Sequence, residues 1–274
     1  MALFDSALND MRGAAILEPR SFMDYARQSG FSNLNTANII SVQSLRHLAP
    51  ELKSAGVMVF RLGCQIGARG TVFGLARHNG SWDDYFLQDR SLFAGCQLHP
   101  VAIRQDGMRI FDILPKSTET SLVNVAVASG MLSAALQIDV ESNPIINATA
   151  QGTYTFIVRP HQHLDALWLH NAGQVEIDGA FVAKRNGIET IFVVEAKVSS
   201  SFDSISKHKI AYPILAIETK LTNRTPVVGV YVRVLRRPSG LEFYVAECAF
   251  SSELREVSTL QPVKVSAYSY GHVS

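Results

Sequence analysis

Apolar residues recur at helical spacing over Ser21–Gln28 and Val42–Ser54, while Val57–Leu62, Thr71–Arg77 and Asp84–Leu87 carry the pattern of extended strands. Gly63, Gly67, Gly70 and Gly80 punctuate these segments and predict loops. The run from Gly63 to Gly70 lacks the Lys-Ser/Thr ending of a phosphate-binding loop, and no helical pattern follows it, so a glycine-rich hairpin connection is expected. Beyond Pro115 the order changes. A helix is predicted over Glu119–Leu136, with Ser117 or Thr118 as its cap. Strands follow over Gly152–Arg159, Ala166–His170, Gln174–Ala183 and Glu189–Val198, then a helix over Ser204–Leu221, then strands over Val227–Leu235 and Leu241–Phe250. This succession predicts an α/β core with a central mixed sheet flanked by helices, spanning residues 117–274, behind a smaller α+β domain over residues 1–116.

Composition narrows the picture. With 47% hydrophobic and 18% charged residues among 274, the chain is ordinary globular material rather than a disordered or fibrous one. Its N-terminus has no basic, apolar leader pattern and no stretch reaches the roughly 18 apolar residues of a membrane span, so a cytoplasmic protein with no membrane partner is expected. Cys64, Cys96 and Cys248 match no metal or redox spacing and predict buried thiols. The net charge of +1 decides nothing, but Gln174–Arg237 holds ten Lys/Arg against six Asp/Glu, a local surplus of four positive charges.

That surplus surrounds an acidic cluster. Asn186-Gly187 is the preferred two-residue hairpin loop, since both positions of a type I′ turn need positive φ. Centring the hairpin there makes paired positions sum to 373, which sets Asp178 opposite Glu195 and Glu176 opposite Lys197, all four on one face. The other face is apolar: Val175, Ile177 and Phe181 against Val198, Ala196 and Phe192. Facing carboxylates destabilise a sheet unless something compensates, and Mg²⁺ takes one or two carboxylates as ligands. On this expectation Asp178 and Glu195 bind Mg²⁺, Glu176 completes a second metal position or pairs with Lys197, and Lys197 orients the attacking water or neutralises developing charge. The competing account is an exposed cross-strand ion-pair ladder.

Asp178 followed, across a hairpin, by Glu195-Ala196-Lys197 on an apolar strand resembles the PD-(D/E)xK nuclease superfamily, which includes most restriction endonucleases. The resemblance implies a restriction-endonuclease-like fold and Mg²⁺-dependent hydrolysis of double-stranded DNA, by a homodimer where the target is two-fold. It also implies an acidic residue on the preceding helix, for which Glu119 stands in place, and Lys209-Ile-Ala-Tyr-Pro213 is similar to a Gln-x-x-Tyr-Pro segment of some members. Ile177 stands where the pattern has proline, and Lys209 where those members have glutamine. A repair, recombination or RNA nuclease of the same fold is the alternative, and a non-enzymatic nucleic-acid-binding protein the alternative from another class.

Candidate DNA contacts are Lys207 and Lys209 on the helix after the site, Arg77 and Trp82 at a polar hairpin tip, and Arg236 beside the Pro238-Ser-Gly240 turn. His161, His163 and Asp165 lack a fourth ligand for zinc and are read as a surface turn.

Overall fold

The computed structural model describes residues 2–32, 34–65, 70–101, 113, 118–141 and 144–271. Strands β1 (Ile16–Ser21), β2 (Val57–Cys64), β3 (Thr71–Arg77), β4 (Phe86–Gln88) and β5 (Leu98–Pro100) occupy the first part of the chain. The second part supplies β6 (Ala148–Val158), β7 (Trp168–Arg185), β8 (Ile188–Ser199), β9 (Ser204–Ser206), β10 (Val227–Arg237), β11 (Gly240–Phe250) and β12 (Leu260–Tyr270). All but β4 and β9, which pair with each other, join one mixed 10-stranded sheet in the order β1-β3-β2-β7-β8-β10-β11-β12-β5, with β6 also on β7. The fold is thus mixed α/β, a large sheet flanked by helices. Among the described residues no helix is long and apolar enough to cross a membrane.

Both faces of the sheet are covered because its central strands alternate between two apolar cores. Phe192, Val194 and Ala196 of β8, with Val230, Val232 and Val234 of β10, bury against the helices Glu119–Ala128 and Met131–Leu136. Val193, Tyr231 and Leu235 point the other way, into a core shared with Ile210, Ala211 and Ile214 of the helix His208–Glu218. β8 and β10 are parallel, and that helix is the crossover between them.

The two parts of the chain interlock, and the expected division at 116/117 falls on residues outside the described ones. Phe4, Phe22, Tyr25 and Phe73 cluster in the same core as Trp168, Val175 and Ile177. Trp168 packs on Phe60 at 5.8 Å between ring centroids, and its Nε1 donates to Glu18 at 3.2 Å. β2 meets β7 at Gly63 and Asn171. The approach is so close that a Cβ on Gly63, whose φ is +79°, would lie 2.8 Å from the Gly173 Cα, so only glycine fits the junction.

Several elements differ from expectation for local reasons. The helix expected over Glu119–Leu136 breaks at Gly130, which takes a φ of 77° between the two observed helices, while Thr118 caps the first by accepting from the Ser121 N–H. The expected 42–54 helix is a short 3-10 turn, Leu45–His47, and a helix starting at Pro50, where proline fits the first turn. The expected Ser204–Leu221 helix begins only at His208, because Ser204–Ser206 pairs with Phe86–Gln88 instead. Ala166–His170 and Gln174–Ala183 belong largely to one long strand, β7, which passes through Ala172 at a positive φ of 42°.

Candidate active site

The hairpin forms as its turn residues dictate. Asn186 and Gly187 have φ of 53° and 74°, and their backbone N–H groups both donate to the Asp139 carboxylate, at 2.9 and 2.8 Å. Pairing runs Arg185↔Ile188 to Gly179↔Val194, every pair summing to 373, and then stops. At the next position the Asp178 carboxylate takes the place of a backbone partner and accepts the Ala196 N–H at 2.9 Å. Beyond it the β7–β8 pairing does not continue, so Glu176, which pairs with Gln151 of β6 along the other edge, does not stand opposite Lys197 as expected. The parting has a visible cause. Ala148 pairs with Ala180 and Ala150 with Ile177, which leaves Asp178 and Gly179 against the single residue Thr149, a β-bulge. The bulge reverses parity, so Val175 and Ile177 fill one core while Phe181 fills the other, and the expectation that they share a face is corrected.

The parted strands open a polar site. Lys197 Nζ lies 3.0 Å from Glu195 Oε1, 3.0 Å from Glu119 Oε2 and 4.0 Å from Asp178 Oδ2. Glu119, first residue of its helix, therefore reaches the cluster from the adjoining layer. Asp178 and Glu195 are only 7% and 4% exposed, which excludes the solvated ion-pair ladder. Burial raises the Glu195 pKa, against the opposing pull of the nearby Lys197 and Lys209. Burial alone would lower that of Lys197, but Glu195, Glu119 and Asp178 outweigh it and hold the ammonium protonated.

The cluster opens on a cleft. One lobe, of about 360 Å³, is lined by Glu119, Lys197, Glu176, Lys209, Arg46 and Arg233 among others. Glu176 and Lys209 also line a second lobe of about 510 Å³, so the two adjoin. Glu176 is thus near the site without being its cross-strand member. Arg233 pairs with Lys197 across β8 and β10, and its guanidinium is held by Asp89 at 2.7 Å. Asp89 is fully buried and also accepts from Tyr231 Oη and the Asp203 N–H, both at 2.8 Å. Its role was not foreseen from the sequence, since Tyr231, one of its partners, lies 142 residues away. An acid after the apolar residues of Tyr85-Phe-Leu-Gln-Asp89 was the one local signal.

Of the expected DNA contacts, only Lys209 lines the cleft. Arg77 donates to the Ala55 carbonyl, Trp82 packs edgewise on His78 and Phe86, and exposed Arg236 lines neither lobe. Lys207 corrects expectation most clearly: it is 5% exposed and its Nζ donates to the Ser258 carbonyl at 2.9 Å. Burial pulls its pKa down to about 8 from 10.5, so between those values the unfolded chain holds more protons and folding stability rises with pH. Lys207→Met should accordingly melt a few degrees above wild type at pH 7, with the gap closing between pH 8 and 10.5. A gap that does not change with pH would rule out this account. The expected turn forms at Gln162 and His163, with His163 and Asp165 exposed, but His161 is buried against Asp84 at 3.2 Å; of the three cysteines expected to be buried, Cys248 is, Cys96 is partly so and Cys64 is exposed.

The donors of the central cluster suit a hard divalent cation. Two buried carboxylates, Asp178 and Glu195, converge on a position now balanced by an ammonium, and Mg²⁺ is commonly held by that many with water completing its shell. Among the described residues, no group of three or more His, Cys, Asp or Glu side chains is arranged as a ready metal cage.

Fold and site together define an α/β protein with an acidic-lysine cluster where a hairpin parts beside a cleft. Over residues 100–269 the chain matches the family described as Domain of unknown function (DUF6997), and it belongs to that family. No curated protein and no solved structure matches it.

Proposed function

We propose that the chain is a Mg²⁺-dependent endonuclease of the PD-(D/E)xK type, cutting double-stranded DNA at a defined sequence in the manner of a type II restriction enzyme. The observation that carries this reading is the parted hairpin: Asp178, Glu195 and Glu119 all within 4.0 Å of the Lys197 ammonium, with Glu119 and Lys197 lining a cleft. The helix Glu119–Ala128, the antiparallel β6, β7 and β8, and the crossover helix to parallel β10 agree with the restriction-endonuclease-like core that the Asp…Glu-x-Lys pattern implies.

Bound Mg²⁺ supplies Lewis acidity toward the phosphodiester and an acidified water. Asp178 and Glu195 would hold it, and the Ala196 N–H bond keeps the Asp178 carboxylate in place. Lys197, held protonated, donates to the attacking water or to the phosphate oxygen that gains charge. Glu119 fixes the ammonium through its 3.0 Å contact. Lys209 and Arg46 line the cleft and attract the phosphate backbone. The protein would work as a cytoplasmic homodimer, the simplest match to a two-fold target.

The test is mixed-sequence plasmid DNA with Mg²⁺ or with EDTA, wild type beside Lys197→Ala. Discrete bands that need Mg²⁺ and vanish in the variant are expected. A smear would keep the nuclease and remove sequence specificity, and cleavage confined to RNA or single strands would move the substrate. Intact nucleic acid of every kind, across several cations, would overturn the reading.

A further inference from the structure

The outer strands of the sheet are β1, β5 and β6, and the first two are guarded against further pairing. β1 carries Glu18, Pro19 and Arg20, and β5 is three residues long. The stretch of β12 that β5 leaves uncovered carries Pro262 and Lys264. Charge, proline and shortness are the usual means of stopping an edge from pairing with another chain, since proline offers no N–H and a charged side chain must stay in water. β6 has none of them. It runs eleven residues, Ala148–Val158, without a charge or a proline, and its second half, Thr153 to Val158, is rich in β-branched and aromatic residues that favour extension. It pairs with β7, and among the described residues nothing pairs with its other edge. The chain closes that edge only past the strand's end, where the Val257 and Ser258 N–H groups donate to the Arg159 and Pro160 carbonyls at 2.8 and 3.2 Å. Apolar surface accompanies the edge: Ile157 and its partner Leu169 are 45% and 38% exposed, and Leu167 is 61% exposed.

We propose that β6 is the interface with a second copy of this chain, the two strands lying antiparallel about a two-fold axis so that the sheet continues from one copy into the other. Such a contact is isologous, and the same strand must complement itself. An axis normal to the sheet keeps every side chain on its own face, so only residues of like parity can stand opposite each other. On the exposed face these are Gln151, Thr153, Thr155 and Ile157. A register centred on Thr153 sets that threonine against its own copy, a pairing that stabilises antiparallel strands, and Gln151 against Thr155. No like charges meet anywhere along the strand, which makes β6 its own complement. A foreign strand would find little but backbone to recognise. The contact goes beyond the endonuclease reading and does not rest on it, yet it supplies the two-fold that reading uses. Thr149 of β6 lies against Asp178 and Gly179, so each half of the joined sheet carries one acidic-lysine cluster.

Sedimentation of the intact protein at micromolar concentration, without DNA, tests this. The wild type is expected at twice the chain mass. Thr153→Lys combined with Thr155→Lys, at two exposed positions, sets like charges across the axis and should weaken association about a hundredfold or more, with the far-UV circular dichroism unchanged. Thr153→Glu with Thr155→Glu should do the same, and mixing the two variants should restore a dimer, which no folding defect could produce. Val263→Lys, at an exposed residue of β12, should leave the dimer as it is. A monomeric wild type would overturn the proposal and leave the edge to an extended segment of another protein. Lysine variants that dimerise as the wild type does, or a mixture that stays monomeric, would overturn it as well. A dimer joined in this way that cuts no nucleic acid would instead keep the interface and remove the endonuclease reading.

Discussion

Asp178→Asn is expected to lower Mg²⁺-dependent DNA cleavage by about 10³-fold or more, the scale of losing a directed electrostatic contribution in an active site, with little change in melting temperature. The substitution keeps size and shape, and the amide oxygen can still accept the Ala196 N–H that Asp178 takes at 2.9 Å, so the parting of β7 from β8 should survive. What disappears is a negative charge beside Glu195. Without metal that charge is a liability, because it adds to the burial that already disfavours the ionised Glu195. The apo variant should therefore be as stable as wild type or slightly more so, and Mg²⁺ should no longer raise its melting temperature. This opposition of stability and activity separates a catalytic carboxylate from a structural one. A variant that keeps more than a tenth of the wild-type rate would remove Asp178 from the site; one that fails to fold would make it structural.

The hairpin that carries this site was legible because its determinants are local. Asn186-Gly187 fixed the turn and the turn fixed the register, and the sum of 373 holds for every observed pair. The nearness of Asp178, Glu195 and Lys197 followed from that register. What escaped was set by the third strand. Whether Asp178 and Gly179 are accommodated as a bulge depends on how β6 lies against β7, and nothing between Gln174 and Val198 specifies it. Glu176 was misplaced for that reason. The helices show the same division. The cap at Thr118 was readable from its own sequence, whereas Lys207 looked like a surface cation because its burial depends on Ser258, 51 residues on. The larger lobe was invisible for a stronger reason: Gln43, Arg61, His170 and His208 come from separate elements and meet only in the folded chain.

Asp89 is the extreme case of such a contact, and Asp89→Ala is expected to cost about 3–5 kcal/mol, the penalty for removing one partner of a buried ion pair. Against a typical total of about 5–15 kcal/mol, that loss puts folding itself at risk. Its carboxylate, fully buried, holds the Arg233 guanidinium at 2.7 Å, the Tyr231 hydroxyl at 2.8 Å and the Asp203 N–H at 2.8 Å. Alanine would leave all three without their acceptor and Arg233, only 4% exposed, as an uncompensated charge. The consequence reaches the site, because Arg233 is the neighbour of Lys197 across β8 and β10 and lines the same lobe. Urea denaturation of Asp89→Ala measures the cost, and the pair Asp89→Leu with Arg233→Met locates it. Apolar replacement of both partners removes the stranded charge, so the double variant should recover much of the lost stability. It should not recover cleavage if Arg233 helps to set the field around Lys197. Equal losses in the single and double variants would mean that Tyr231 and Asp203, rather than Arg233, are what Asp89 is there to hold.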